Sequence, residues 1–449
     1  MRLPASALVA RLAARAGHVA RPRLMRGLCR RGGLVLAAAA SWVAVLSAVT
    51  AAPASATTTP RAVQVRLPAN AGANPRPLLI GVGCTSAGFC AAGGTYTDTA
   101  GRSEAMAVPQ ARGRWARAVE LRLPSNAETN PFAEVNSVAC TGTGSCVAVG
   151  YYDGDTRFQG FIAAESRGTW RRARLAPVPP NTASATDFQL NGVSCSAPGA
   201  CLAVGNYQDR SGHFEAMALA ESRGRWGPAR ELPMPANAGP DPGAFILGVA
   251  CPATGFCVVT ADYTDRSGRG QVAILTLAAG RWRSPAELRL PSDASTTRSP
   301  GLDSVSCAKA GSCLALGKYT LRSGGFRPMV ATESSGRWGR LVQLSVRPAG
   351  AVVYGPDLNG IACQTVASCV AVGRYKDTAG GFPAMTATWS NGRWRRADRV
   401  ALPANAAASA GQTALLYAAS CPRAGSCWAV GFYTDNLGHL QAMAAPTPP

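Results

Sequence analysis

The apolar positions of this chain come in short runs, not in the long stripes of amphipathic helices. Residues 190–237 show the pattern cleanly. Leu190-Asn-Gly-Val-Ser-Cys195 is followed by Cys201-Leu-Ala-Val-Gly-Asn-Tyr207, then by a run holding Ala216-Met217-Ala218-Leu219, then by the segment entered at Arg225-Trp226. Runs of this length, bounded by Gly, Asp, Asn and Pro, predict four β-strands. The C-x5-C segment turns the first strand into the second, and Asp209 to Gly212 (D-x-x-G) turns the second into the third. In that turn Asp bonds its own backbone and Gly supplies the positive φ. Ser222-Arg223-Gly224-Arg225-Trp226 leads into the fourth strand, and an L-P-x-N-A segment breaks it before the next unit.

The unit repeats seven times. The Cys pairs 84/90, 140/146, 195/201, 251/257, 307/313, 363/369 and 421/427 are all C-x5-C, and successive first Cys are 56, 55, 56, 56, 56 and 58 residues apart. Seven four-stranded units predict an all-β fold, a seven-bladed β-propeller with four antiparallel strands per blade. A solenoid would need atypical capping repeats, whereas here the ends are complementary. The last repeat stops after Gln441-Ala-Met-Ala-Ala without its G-x-W strand, and Arg61-Ala-Val-Gln-Val-Arg-Leu-Pro68-Ala-Asn70 matches Arg117-Ala-Val-Glu-Leu-Arg-Leu-Pro124-Ser-Asn126. The N-terminal strand is therefore expected to close blade seven, leaving no open edge.

The region before the repeats reads differently. Residues 1–33 carry Arg2, Arg11, Arg15, Arg21, Arg23, Arg26, Arg30 and Arg31 and no acid, an apolar run extends from Leu34 to Ala52, and Ala54-Ser55-Ala56 follows. This is the order of a secretory signal peptide over 1–56, with 57–449 as the exported propeller. A retained membrane anchor is the alternative reading, because the run approaches the lower limit for a span. The expected location is outside the cell or at its surface. Of 45 basic and 24 acidic residues only three are Lys, and cleavage would leave 14 of the 15 Cys. An even Cys number in an exported chain points to disulfides. Zinc would need thiolates grouped in fours, with only His213 and His439 to help. The expected bridges are Cys84–Cys90, Cys140–Cys146, Cys195–Cys201, Cys251–Cys257, Cys307–Cys313, Cys363–Cys369 and Cys421–Cys427, each inside one blade. The composition, 47% hydrophobic with 15% charged residues, excludes a disordered chain.

Other positions recur with the Cys. Tyr stands six residues after each second Cys (Tyr96, Tyr152, Tyr207, Tyr263, Tyr319, Tyr375, Tyr433), and Asp98, Asp209, Asp265, Asp377 and Asp435 follow two later. Sevenfold use favours scaffolding: a ring packed between blades, its hydroxyl on a backbone partner, and Asp forming the turn. Trp115, Trp170, Trp226, Trp282, Trp338 and Trp394, with Met106, Met217, Met329, Met385 and Met443, read as core. Gly94, Gly150, Gly205, Gly317, Gly373 and Gly431 let backbones crowd together.

The V-S-C…C-x-A-V-G-x-Y and S-x-G-x-W signatures resemble those of secreted actinobacterial seven-bladed β-propeller repeat proteins, distantly similar to sialidase and kelch-type propellers. The resemblance covers residues 57–449 and implies the fold. Ser222-Arg223-Gly224-Arg225-Trp226 also resembles a shortened sialidase Asp-box, S-x-D-x-G-x-x-W, without its middle Asp, so sialidase activity is not carried over.

No G-x-S-x-G, H-E-x-x-H, phosphate-loop or calcium-loop pattern occurs. Catalysis needs unlike groups brought together, so only repeat-breaking residues are informative: Asp153, Asp155, His213, Asp262, Tyr354, Asp357 and His439. Alternating strand direction puts the D-x-x-G turns and inter-blade loops at one end of the ring, and the C-x5-C and G-R-W turns at the other. The first end varies most, which makes Asp241, Tyr354, Asp357 and Tyr417 the candidate binding-face residues. Arg114, Arg117, Arg171, Arg172, Arg225, Arg281, Arg283, Arg337, Arg393, Arg395 and Arg396 form a basic band near the G-R-W turns. The function expected is a non-catalytic binding or interaction scaffold, with a carbohydrate-active enzyme centred on the ring as the alternative. Partners expected are a cell-wall glycan, an acidic polymer or another surface protein, engaged by a monomer without a cofactor. Nucleic acid is not expected.

Overall fold

The computed structural model describes residues 60–447 apart from 87–88, 156, 185–186, 353–354, 366, 391 and 423–426. The expected signal peptide and Tyr354 lie outside the described residues. Seven antiparallel sheets follow one another in the chain, the first six running from an inner to an outer edge in sequence order and the seventh taking its outer strand from the N-terminus. In blade one the strands are Leu78–Ser86, Phe89–Thr97 and Ser103–Ala111, then the short pieces Arg114–Trp115 and Val119–Glu120. Adjacent blades meet through their first strands around the axis, as Leu78–Ser86 does with Glu134–Gly142.

The core lies between blades. Val149 and Ile162 of blade two pack with Leu190, Val193, Tyr207 and Met217 of blade three, and the same layer recurs around the ring. All five recurring Met are fully buried. Closure is by the N-terminus: Val63 pairs with Ala444 and Gln64 with Met443. At that seam Val65, Leu79, Tyr96 and Met106 pack on Val430, Ala442 and Ala444. All seven C-x5-C pairs are disulfides, with Cα separations of 3.9–4.1 Å.

Two expectations are corrected. The fourth strand is split in blades one to five, because its middle turns to the neighbouring blade: Ala118 N–H donates to the Arg66 carbonyl (2.8 Å). Among the described residues only blade six has an unbroken fourth strand of its own, Arg393–Arg399. Second, six of the seven recurring Tyr hydroxyls bond side chains, not backbone. Tyr96 donates toward Asn70 Oδ1 (2.9 Å) and Glu120 Oε2 (2.8 Å), Tyr152 bonds Asn126, and Tyr263 bonds Asn237. The Asn of the L-P-x-N-A segment is thus the partner of a buried hydroxyl as well as a strand breaker.

Candidate functional site

The two ends of the ring differ in chemistry. At one end the C-x5-C turns touch the third turns, with Gly168 N–H on the Gly144 carbonyl (3.2 Å) and Gly336 N–H on the Gly311 carbonyl (3.1 Å). The axis opens there into a cavity of about 260 Å³ lined by near-equivalent residues of all seven first strands, including Val82, Val138, Val193, Val249, Val305 and Ile361. Arg114, Arg171, Arg225, Arg281, Arg283, Arg337, Arg393 and Arg395 are exposed around this end. Arg117 and Arg172 instead fasten blades, donating to the Leu67 and Leu123 carbonyls (both 2.9 Å).

At the other end the D-x-x-G turns pair with the inter-blade loops through single bridges such as Ala71 with Asp98 and Ala238 with Asp265. Asp98 Oδ1 accepts from the Ala100 and Arg102 N–H groups (2.9 and 2.8 Å), so its expected turn role holds. Here the inner strands carry groups that differ from blade to blade. The residue before each recurring Tyr faces a first-strand partner: Thr95 with Leu78, Tyr151 with Glu134, Asn206 with Gln189, Asp262 with Phe245, Lys318 with Gly301, Arg374 with Asp357, and Phe432 with Leu415. Sheet geometry puts both members of a pair on one face of the blade.

In blades three to six these groups and their neighbours form a polar belt, whereas blades seven and one contribute mainly apolar residues. Lys318 Nζ lies 3.0 Å from Asp357 Oδ1 and 3.6 Å from Asp303 Oδ2, and Arg374 Nε lies 3.7 Å from Asp357 Oδ2. The Arg374 guanidinium also stands 5.3 Å from the centre of the Phe382 ring. Asp262 Oδ1 accepts from Leu302 N–H (2.8 Å) of the next blade. Asn191 Nδ2 donates to Asn206 Oδ1 (2.9 Å) and to the Ile246 carbonyl (2.8 Å). Tyr417 stacks at a tilt on Phe432, with ring centres 6.1 Å apart.

Burial sets the protonation of the belt. It pushes Glu134 up to about 7. Among the described residues the Glu134 side chain has no hydrogen-bond or ion-pair partner. Tyr151 is held above its ordinary value by burial and then by Glu134. Asp262 is raised well above the carboxylate range by burial, with Asp303 adding to the shift. For Lys318, burial opposes the ammonium, but Asp303 and Asp357 outweigh it and keep it charged. A carboxyl poised near neutrality beside a phenol can take up or release a proton at physiological pH.

The expected site residues divide. Asp357 and Tyr417 do not sit in variable loops; they belong to the first strands Asp357–Thr365 and Ala414–Ser420, within the belt. A strand position flanked by loop-like residues is indistinguishable from the loop in sequence. Asp262 is likewise no loop residue but a half-buried position of the strand Phe256–Thr264. Asp241 is exposed in the loop between blades three and four. Asp155 accepts from Asn126 and Gln159 near the turn of blade two (3.1 and 3.2 Å), and His213 and His439 lie in the turns of blades three and seven. The belt residues Glu134, Tyr151, Asp303, Lys318 and Arg374 were missed. The signal was present: five residues after the second Cys the repeats read Thr, Tyr, Asn, Asp, Lys, Arg and Phe, directly before the sevenfold Tyr.

No protein-family model matches the chain, and no curated protein matches it in sequence. Among solved structures it is similar to a polysaccharide lyase, an ulvan lyase, with 8% identity and a TM-score of 0.51 over 86% of this chain and 96% of that one. It is also similar to the Trypanosoma rangeli sialidase in complex with the inhibitor DANA, with 13% identity and a TM-score of 0.42 over 73% of this chain. It spans 57% of the length of that sialidase. A Hadza microbial sialidase gives 11% identity and a TM-score of 0.44, over 77% of this chain and 73% of that one. At such identities the likeness concerns the fold alone.

Proposed function

We propose that the protein is an exported, disulfide-stapled propeller that binds a saccharide at the axis, on the end formed by the D-x-x-G turns. One observation carries this reading: around that end seven facing pairs differ from blade to blade, while the opposite end repeats. A rigid ring with one diversified face is the usual arrangement of a recognition scaffold. The belt offers what sugar recognition uses, namely aromatic faces (Tyr417, Phe432, Phe382) beside charged and amide hydrogen-bonding groups. Seven disulfides fit an oxidising compartment, and no helix among the described residues is long and apolar enough to cross a membrane.

A second reading, cleavage of a glycan, is favoured by Glu134 alone, whose value of about 7 suits a general acid or base. The ulvan lyase with a similar fold is a polysaccharide lyase by description. The purified chain, presented with a panel of cell-wall glycans and acidic polysaccharides and assayed for both retention and turnover, separates the two. Retention with no new reducing or unsaturated ends supports binding, and turnover lost in Glu134→Gln supports cleavage.

A further inference from the structure

Blade three places two carboxylates at the turn with a histidine between them, where blades four and seven place one carboxylate and an amide and blade one sets an arginine between its two acids. In the blades that keep the turn Asp, Oδ1 accepts backbone N–H groups and Oδ2 is left for a side chain. Arg102 Nη2 fills that role for Asp98 (2.6 Å), Gln271 Nε2 for Asp265 (2.9 Å) and Gln441 Nε2 for Asp435 (2.9 Å). In blade six Arg399 Nη1 stands 3.9 Å from Asp377 Oδ2. Blade three has Glu215 at the position of Gln271 and Gln441, and His213 at the position of Arg102.

Blade one serves as an internal reference, since it carries the same pair of acids, Asp98 and Glu104. There the Arg102 guanidinium sits against both, with Nε 3.6 Å from Glu104 Oε1. A cation therefore occupies the space between the acids in blade one. In blade three the imidazole of His213 stands in its place, Nδ1 lying 3.9 Å from Asp209 Oδ2. One ligand atom from each of Asp209, His213 and Glu215 lies within 4.8 Å of the others, and all three residues are half-buried. The neighbouring Glu231 cannot relieve the charge, because it is itself an acid engaged by Tyr207 Oη (2.7 Å) and Asn181 Nδ2 (2.9 Å).

We propose that Asp209, His213 and Glu215 bind a divalent transition-metal ion of the zinc class. The turn organises the ligands in advance: Asp209 Oδ1 is held by the Ser211 and His213 N–H groups (2.8 and 2.9 Å), which leaves Oδ2 on the side of the His213 imidazole. His213 directly precedes the strand Phe214–Ser222 that carries Glu215, and the two-residue spacing in extended chain turns both side chains the same way. One imidazole nitrogen with two carboxylate oxygens suits zinc, whereas calcium takes six to eight oxygens. Three protein ligands leave a coordination position for water or for a donor from a bound molecule.

The test is equilibrium dialysis and calorimetry of the full chain with zinc chloride, and in a second arm with calcium chloride, at neutral pH. One zinc per chain is expected, with a melting temperature that rises as zinc is added. Glu215→Gln restores the amide of blades four and seven, and His213→Arg restores the guanidinium of blade one. Both should keep the fold and weaken zinc binding about tenfold or more. His439→Ala should leave binding unchanged, because Gln441 in blade seven supplies no second carboxylate. Absence of zinc binding, zinc binding unaffected by either blade-three variant, or calcium bound in preference to zinc would overturn the proposal.

Discussion

Glu134 and Tyr151 stand directly opposite each other on paired strands of blade two, next to a close backbone approach at Gly150. Gly150, just before Tyr151, makes that approach: a Cβ there would lie 1.8 Å from the Glu134 carbonyl oxygen. The backbone contact that the recurring Gly permits thus brings a buried carboxyl and a phenol together beside the axis.

The pH dependence of stability follows from the burial of Glu134. Its folded-state value of about 7 lies above its ordinary 4.5, so the folded protein retains a proton that the unfolded chain releases. Stability from this group is full below the lower value and declines as pH rises through the upper one, by about 3 kcal/mol in all. Glu134→Gln is expected to flatten that part of the profile and to raise stability above neutral pH. Denaturant unfolding of both proteins between pH 4 and 9 checks it; parallel profiles would show that Glu134 is solvated.

Gly150→Ala should lower the melting temperature sharply, because the new methyl meets backbone on the paired strand, where nothing flexible can yield. Blade four carries Ala261 at the equivalent position, and its strands pair around Ile246 and then resume only at Val249. Ala261→Gly is accordingly expected to be nearly silent. Thermal unfolding of the two variants side by side distinguishes them.

The repeat period, the disulfide pairing and the N-terminal closure were legible in the sequence, because each rests on spacing that survives without coordinates. The belt was not. Lys318, Arg374 and Glu134 each look like an ordinary surface charge within their own repeat, and only the ring brings them to one axis. The hydroxyl partners of the Tyr residues were missed for a related reason: Asn70 and Tyr96 are 26 residues apart, joined by a bridge between a loop and a turn.

Removal of residues 60–70 should leave Leu440–Thr447 as an open edge and free the surface that Val65 covers on Tyr96 and Met106. Aggregation, or a large loss of melting temperature, is expected on light scattering and calorimetry. A truncated chain as stable as the parent would mean that the N-terminal strand does not close the ring.

Replacing Cys251 and Cys257 together by Ala should destabilise by about 2 kcal/mol, the loop-entropy value for a closed loop of about seven residues. The bridge is confined to one hairpin, so the propeller should still form. Non-reducing peptide mapping should return the other six pairs unchanged, and any bridge between blades would contradict the assignment.

The central claim is that recognition takes place at the axis on the D-x-x-G end. The most direct measurement is retention on the glycan panel of the wild type beside Arg374→Ala and Arg225→Ala. Arg374 belongs to the belt and stands against Phe382, whereas Arg225 is exposed at the disulfide end. The account predicts that Arg374→Ala loses retention of whichever glycan the wild type holds, while Arg225→Ala keeps it. Retention lost in Arg225→Ala and kept in Arg374→Ala would contradict it.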